Sequence, residues 1–220
     1  MIFLGLIMAL VTFSLGKYLQ RKTKLNILNP LLVSIILCIA SLILLDIPFS
    51  DFNIGGSLIS LFLPPATASL ALSIYRQKEL LKRHFLPIIA GCLVGSLASI
   101  GSVIVLCKIF DVSDVLSKTL IPKSVTTPIA MEISKNLGGI PAITVAAVVV
   151  TGILGNIIGP MLIRCFHVKD SSAAGIAIGT CSHAIGTTKA LELGEIEGAM
   201  SGIAIGISGI LTVIIALFLI

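Results

Sequence analysis

Five apolar stretches, residues 2–16, 31–45, 86–107, 140–163 and 198–220, dominate this chain. Most approach the roughly 20 residues that a helix needs to cross the hydrocarbon core of a bilayer. A water-soluble core needs nothing so long. In lipid every backbone donor and acceptor must be satisfied inside the protein, so only helices and closed barrels can span. A transmembrane barrel would show segments of about ten residues with alternating polarity, and these are absent. Only 11% of the 220 residues are charged, against about 25% in a soluble domain, so the chain cannot cover a water-facing surface. The expected fold is an all-α polytopic membrane protein forming one domain over residues 1–220. It has about seven crossings plus a re-entrant or broken segment.

The first run resembles a secretory signal, which carries basic residues ahead of its apolar core. Here the basic residues Lys17, Arg21, Lys22 and Lys24 follow the run and none precede it, so it reads as a retained membrane helix. The net charge of +5 gathers in short loops beside the spans. It reports topology rather than nucleic-acid binding. Cys38, Cys92, Cys107, Cys165 and Cys181 show no metal-ligand spacing, and all but Cys181 read as small hydrophobes within helices.

Lys and Arg concentrate on the cytoplasmic side of membrane proteins. This places KYLQRKTK (17–24) and RQKELLKRH (76–84) inside and the acidic DIPFSDFNIGG (46–56) outside. Helix 1 then runs outside to inside, helix 2 (28–46) returns, a third crossing (54–75) goes in, and helix 4 (86–108) comes out. The third crossing contains FLPPATASLAL, and its two prolines predict half-helices joined by an unwound piece at Pro64 and Pro65. Residues 111–139 are too polar for a lipid-facing span. A full crossing would leave Arg164, His167 and Lys169 outside, whereas a re-entrant hairpin leaves them inside, which the charge bias favours. With a hairpin, residues 173–194 cross outward, Glu192, Glu195 and Glu197 face outside, and the C-terminus is cytoplasmic. Helices 2 to 4 would then form an inverted repeat with 140–163, 173–194 and 198–220, a layout common in secondary transporters. PATASLAL (65–72) loosely matches IGTTKALE (185–192), but a parallel match of FLPPATASLAL to LIPKSVTTPIAM is as good.

Two polar stretches interrupt the apolar chain: IPKSVTTPIAMEIS (121–134) and GIAIGTCSHAIGTTKALELGE (175–195). Glycines and hydroxyls also serve plain helix packing, the reading that fits GILGNIIGP (152–160). A lysine at membrane depth, however, costs about 2.5–3.5 kcal/mol on insertion scales, and packing alone does not require one. Lys123 sits in the Pro-flanked break, where it can neutralise an anion or snorkel from an outer loop. His183 can donate to a carboxylate or carry a proton, given an unperturbed pKa of about 6.5. It can equally bond a neighbouring helix. Glu132 can pair with Lys123 or Lys135, and Lys189 with Glu192. No P-loop, dinucleotide fingerprint, zinc-protease or nucleophile-elbow motif is present. No enzyme activity or cofactor is expected.

LIPKSVTTPIAMEIS (120–134), GGIPAIT (138–144), GILGNIIGP, AIGTCSHAIGTTKALELGEIEGAMSG (177–202) and the early NILNPLLVS (26–34) resemble, in order and over nearly the whole chain, the LrgB/CidB family of bacterial membrane proteins. The usual family form GTASHAIGTARA is varied here, with Cys181 for Ala and Thr188–Lys189 for Ala–Arg. The resemblance implies a multi-pass protein of the bacterial cell membrane and two functional accounts. One is an antiholin-like factor that controls murein hydrolases and lysis with an LrgA/CidA-like membrane partner. The other is transport of small carboxylates, since relatives are linked to pyruvate uptake and to glycolate–glycerate exchange in chloroplasts. The broken polar segments favour the carrier, because half-helix N-termini can point positive dipole ends at an anion. The expected path is lined by Pro64, Thr67, Lys123, Ser124, Thr126, Thr127, Thr180, His183, Thr187 and Thr188. A coupled proton or sodium ion, a homo-oligomer and the lipid bilayer complete the expected partners.

Overall fold

The computed structural model of the protein describes residues 2–23, 28, 30–62, 65, 68, 72, 75 and 78–219. Pro64 and Thr67 lie outside the described residues, as does most of the expected break at 64–65. The described residues form helices and turns, as the apolar runs require. The chain divides into two compact units, Met1–Ala68 and Ser69–Ile220.

The first unit contains α1 (Ile2–Thr23), α2 (Pro30–Leu44) and α3 (Phe49–Ser60). Thr12 of α1 donates to the Met8 carbonyl at 2.8 Å, and its oxygen meets Ser34 Oγ of α2 at 2.9 Å. Gly16 lies against Pro30 and Gly5 against Phe52, so small residues let α1 approach both partners closely. The 15 residues of α2 span about 22 Å, short of a bilayer core of about 30 Å.

The second unit contains α4 (Lys78–Arg83), α5 (Phe85–Ile109), α6 (Asp114–Leu120), α7 (Thr127–Asn136), α8 (Pro141–Cys165), α9 (Ser171–Leu193) and α10 (Glu195–Leu217). With α1, the helices α5, α8 and α10 are long and apolar enough to cross a membrane. Several ends share one device, a left-handed residue that lets the next amide reach back to close the last turn. Asp111 (φ 50) and His167 (φ 53) adopt it after α5 and α8. Val112 N–H then donates to the Cys107 carbonyl at 2.8 Å, and Val168 N–H to the Ile163 carbonyl at 3.0 Å. Gly138 (φ 80) does the same after α7. Asp170 starts α9 by accepting from Ala173 N–H at 2.7 Å.

The element α9 does not cross as expected. Its contacts with α10 reverse direction at His183. Gly175 lies against Glu197 and Met200, and Gly179 against Ser201 and Ala204, so residues 171–182 run parallel to α10. Beyond the reversal, Thr187 Oγ1 is 2.7 Å from Ser201 Oγ and Gly198 lies against Leu191, so residues 184–193 run antiparallel to it. His183 supplies the turn alone, with φ 42 and ψ −144 inside an otherwise helical segment. α9 is therefore a re-entrant hairpin with no loop at its tip.

Residues 111–139 form the re-entrant hairpin that the charge bias favours. α6 and α7 flank a break at 121–126. Asp111 and Val112 at the start of the segment and Leu137 at its end line one cavity, so it leaves where it came in. Thr144 of α8 ties the return together by donating to the Thr119 carbonyl at 2.9 Å and meeting Ser134 Oγ at 2.7 Å.

The reversal at His183 changes the expected topology. α5 and α10 run parallel, with Ile88 and Cys92 beside Met200 and Ala204 in one cluster and Val103 and Cys107 beside Ala216 in another. Leu219 accordingly shares a cavity with Lys108 and Asp111. The C-terminus thus lies at the end of this unit opposite the basic α4. Glu195 and Glu197 lie at the α4 end, beside the start of α9. The expectation of the opposite end followed from reading 173–194 as a full crossing, which the reversal at His183 replaces with a hairpin. The repeat this unit displays pairs α5 and the α6–α7 hairpin with α8 and the α9 hairpin.

Candidate functional site

The two hairpin tips meet. A small pocket is lined by Ser96, Ser99 and Ile100 of α5, by Ile121, Pro122, Ser124 and Val125 of the first break, and by Thr180 of α9 and Thr212 of α10. Lys123 of the first tip and Cys181 of the second lie within electrostatic reach of each other. Each tip combines the C-terminal end of one half-helix with the N-terminal end of the next. Partial charges of both signs therefore converge at mid-depth.

The first tip is set by its prolines. Pro122 falls in the turn and Pro128 in the first turn of α7, where its missing N–H costs nothing. Lys123 is half-buried, with Nζ 3.4 Å from Ser124 Oγ. Ser124 is buried, and its hydroxyl lies 2.7 Å from Ser99 Oγ. Thr126 occupies the N-cap of α7 without a side-chain capping bond, and Thr127 opens the helix. Both are half-buried, which leaves the amides of the first turn and two hydroxyls beside the break.

The second tip is held from three sides. His183 is fully buried, and Nε2 lies 2.9 Å from the Val148 carbonyl of α8. A carbonyl can only accept, so Nε2 carries the proton in this bond. Of the roles open to His183, the interhelical bond is the one present. Gly152 lets the imidazole in, since a Cβ there would stand 2.7 Å from Cε1. Gly155 makes the same room for Ser182, whose hydroxyl donates to the Ile178 carbonyl at 2.7 Å. Thr180 donates to Cys92 Sγ of α5 at 3.5 Å. Thr187 donates to the His183 carbonyl at 2.9 Å and accepts from Ser201, so it braces the returning leg against α10.

Lys123, Ser124, Thr126, Thr127, Thr180 and His183 thus lie at or beside the tips. Thr188 does not. It is exposed one turn beyond the tip, where it donates to the Ile185 carbonyl and accepts from Asn156 Nδ2 at 3.1 Å. Lys189 pairs with Glu192. Ser96, Ser99 and Thr212 were not anticipated. Their hydroxyls sit singly within apolar helices, and the spacing of Ser96 and Ser99 by three residues on one face of α5 is the one signal that pointed to them.

A groove of about 530 Å³ runs between α5 and α9 from His84 and Asp170 at the α4 end to Thr180 and Cys181 at the tip. It connects one face of this unit with the tip region.

The chain matches the profile of the LrgB-like family over residues 9–220. It is 35% identical over 214 residues to the antiholin-like protein LrgB of Bacillus subtilis (strain 168), covering 97% of this chain and 93% of that protein. The proteins of the same name from Bacillus mycoides (strain KBAB4) and Bacillus cereus (strain B4264) are 34% identical over the same coverage. No solved structure matches the chain. It belongs to the LrgB-like family of membrane proteins.

Proposed function

We propose that the chain is a membrane carrier, or the transport half of a two-protein carrier, for small monocarboxylates such as pyruvate or glycolate. One observation carries this reading: two broken segments enter from opposite ends of the unit and meet tip to tip. Irregular backbone at membrane depth is tolerated where it is buried in protein or lines a wet cavity, and ligand sites of secondary transporters occupy such breaks. A carboxylate at the first tip would meet the Lys123 ammonium and the N-terminal turn of α7, with the Thr126 and Thr127 hydroxyls for a second oxygen. Under the charge rule the end that holds α4, Arg164 and Lys169 faces the cytoplasm, and the C-terminus faces outward.

A second reading is an antiholin-like regulator of murein hydrolases and lysis that acts with an LrgA/CidA-like partner. The names of the relatives favour it more directly than they favour a carrier. The deciding experiment is uptake of labelled pyruvate and glycolate into proteoliposomes that hold the chain alone or with an LrgA-like protein. The carrier reading expects saturable uptake, lost in Thr127→Val at unchanged protein level. Absence of uptake in both preparations sinks it and leaves the regulator.

A further inference from the structure

Three spaces follow one another along α5. At the end that holds the C-terminus, a cavity of about 410 Å³ is lined by Cys107, Lys108 and Asp111, with Lys118 and Leu219 opposite. At the α4 end, the groove of about 530 Å³ takes His84, Pro87, Gly91 and Gly95. Between the two, Ser96, Ser99 and Ile100 line the small pocket at the tips. From His84 to Asp111 the stack covers about 40 Å at helical rise, more than the bilayer core of about 30 Å. Neighbouring spaces share a wall. Ile121 lines both the cavity and the pocket, and Thr180 lines both the pocket and the groove.

Both shared walls stand where the backbone leaves its helix. Ile121 caps the end of α6, is 5% exposed and belongs to the apolar cluster of Ile100, Cys107 and Leu137. Thr180 lies three residues before the turn at His183. Its methyl group sits against Gly95 of α5, and its hydroxyl donates to Cys92 Sγ at 3.5 Å. Breaks of a few residues can absorb the dihedral changes of a hinge, so either wall can move without unpacking a whole helix. The pocket itself measures about 10 Å³, far too small for a carboxylate while both walls are closed. It nevertheless holds a polar group in need of company. Ser96 Oγ is the buried side-chain polar atom without a hydrogen-bond partner among the described residues, and buried hydroxyls need one. We propose that cavity, pocket and groove are one pathway, held shut by Ile121 toward the C-terminal end and by Thr180 toward the α4 end.

The proposal rests on the carrier reading and supplies its two barriers. Displacing Ile121 alone joins the pocket to the outer cavity and opens Ser96 and Thr212 to that side. Displacing Thr180 alone joins the pocket to the groove and opens the same two residues to the α4 side. In both cases water reaches the orphaned Ser96 hydroxyl, so movement of either wall removes the cost of leaving it unpaired.

The test reads side-specific access to the pocket and needs no transport step. A single reporter cysteine, Ser96→Cys or Thr212→Cys, is placed in the cysteine-free full chain. Its reaction rate with a membrane-impermeant trimethylammonium methanethiosulfonate is measured in right-side-out and inverted membrane vesicles. Cysteines at Leu219 and Lys82, in separate preparations, mark the two sides. Either reporter suffices, and size-exclusion profiles identify a variant that has not folded. Ile121→Ala should speed labelling of the reporter about tenfold from the Leu219 side and leave the rate from the Lys82 side unchanged. Thr180→Ala should do the reverse. If neither variant changes the rates, or if each speeds labelling equally from both sides, the two barriers are wrong. Uptake of labelled pyruvate by proteoliposomes is scored separately. Side-specific labelling without uptake retains the barriers and removes the monocarboxylate, whereas uptake without side-specific labelling retains the carrier and removes the barriers.

Discussion

At the scale of single residues, His183 carries two burdens. Its backbone turns the chain with a positive φ, a region that glycine adopts freely and other residues enter at a cost. Its imidazole holds the tip to α8 through Val148. His183→Ala keeps the strained backbone and loses the bond, so a stability loss of about 1–2 kcal/mol is expected. His183→Gly loses the same bond but relaxes the backbone, and it should fall less far than alanine by up to about 1 kcal/mol. Thermal unfolding of the two variants in one detergent ranks them. If alanine proves the more stable, the backbone at 183 is not under strain. The sequence marked His183 as unusual because an ionisable side chain lay among small residues. It could not show that the histidine ends one helix and begins the next, since residues on both sides are good helix material and no proline marks the reversal.

At the scale of elements, packing depends on where a side chain can be missing. Gly179 faces the Ser201 backbone of α10, where a Cβ would overlap the carbonyl oxygen and approach Ala204 Cβ to 2.9 Å. Gly179→Ala is expected to cost about 1–3 kcal/mol through overpacking. Gly101 of α5 has nothing within 4 Å of its Cβ position, and Gly101→Ala should be neutral or gain up to about 1 kcal/mol from helix propensity. Denaturation midpoints of the pair test the α9–α10 contact, and equal effects would contradict it. The helices themselves were legible, because runs of apolar residues at bilayer length allow little else. The first hairpin was legible too, because Pro122, Lys123 and Pro128 are hostile to a lipid-facing span. The second was not. Segment 171–193 has the length of a crossing, though not the apolarity of the four spanning candidates, and its reversal depends on tertiary contacts made by Gly175, Gly179 and Gly198 with residues of α10 and of its own returning leg. The small pocket between the tips was half legible, since Ser124 and Thr180 lie in the broken segments whereas Ser96 and Thr212 lie in ordinary spans.

At the scale of the whole second unit, the reversal sets which ends share a side. With α4 inside, single cysteines introduced at Lys82, Lys169 and Glu195 in a cysteine-free background should react with an impermeant maleimide only after the membrane is opened. Cysteines at Lys118 and Leu219 should react in intact cells. Labelling of positions 169 and 195 from opposite sides would show that α9 crosses and that the hairpin at His183 is wrong. Two hairpins inserted from opposite faces also leave a thin septum where their tips meet. The groove that climbs from Asp170 to Cys181 covers part of the depth on one side of that septum, and any water that enters it shortens the distance over which the membrane voltage falls. Carrying a charge across the whole membrane is worth about 2.3 kcal/mol per elementary charge at 100 mV. Any ion that passes the tips uncompensated should produce a current that scales with voltage, while a cation and a carboxylate passing together should cross electrically silent.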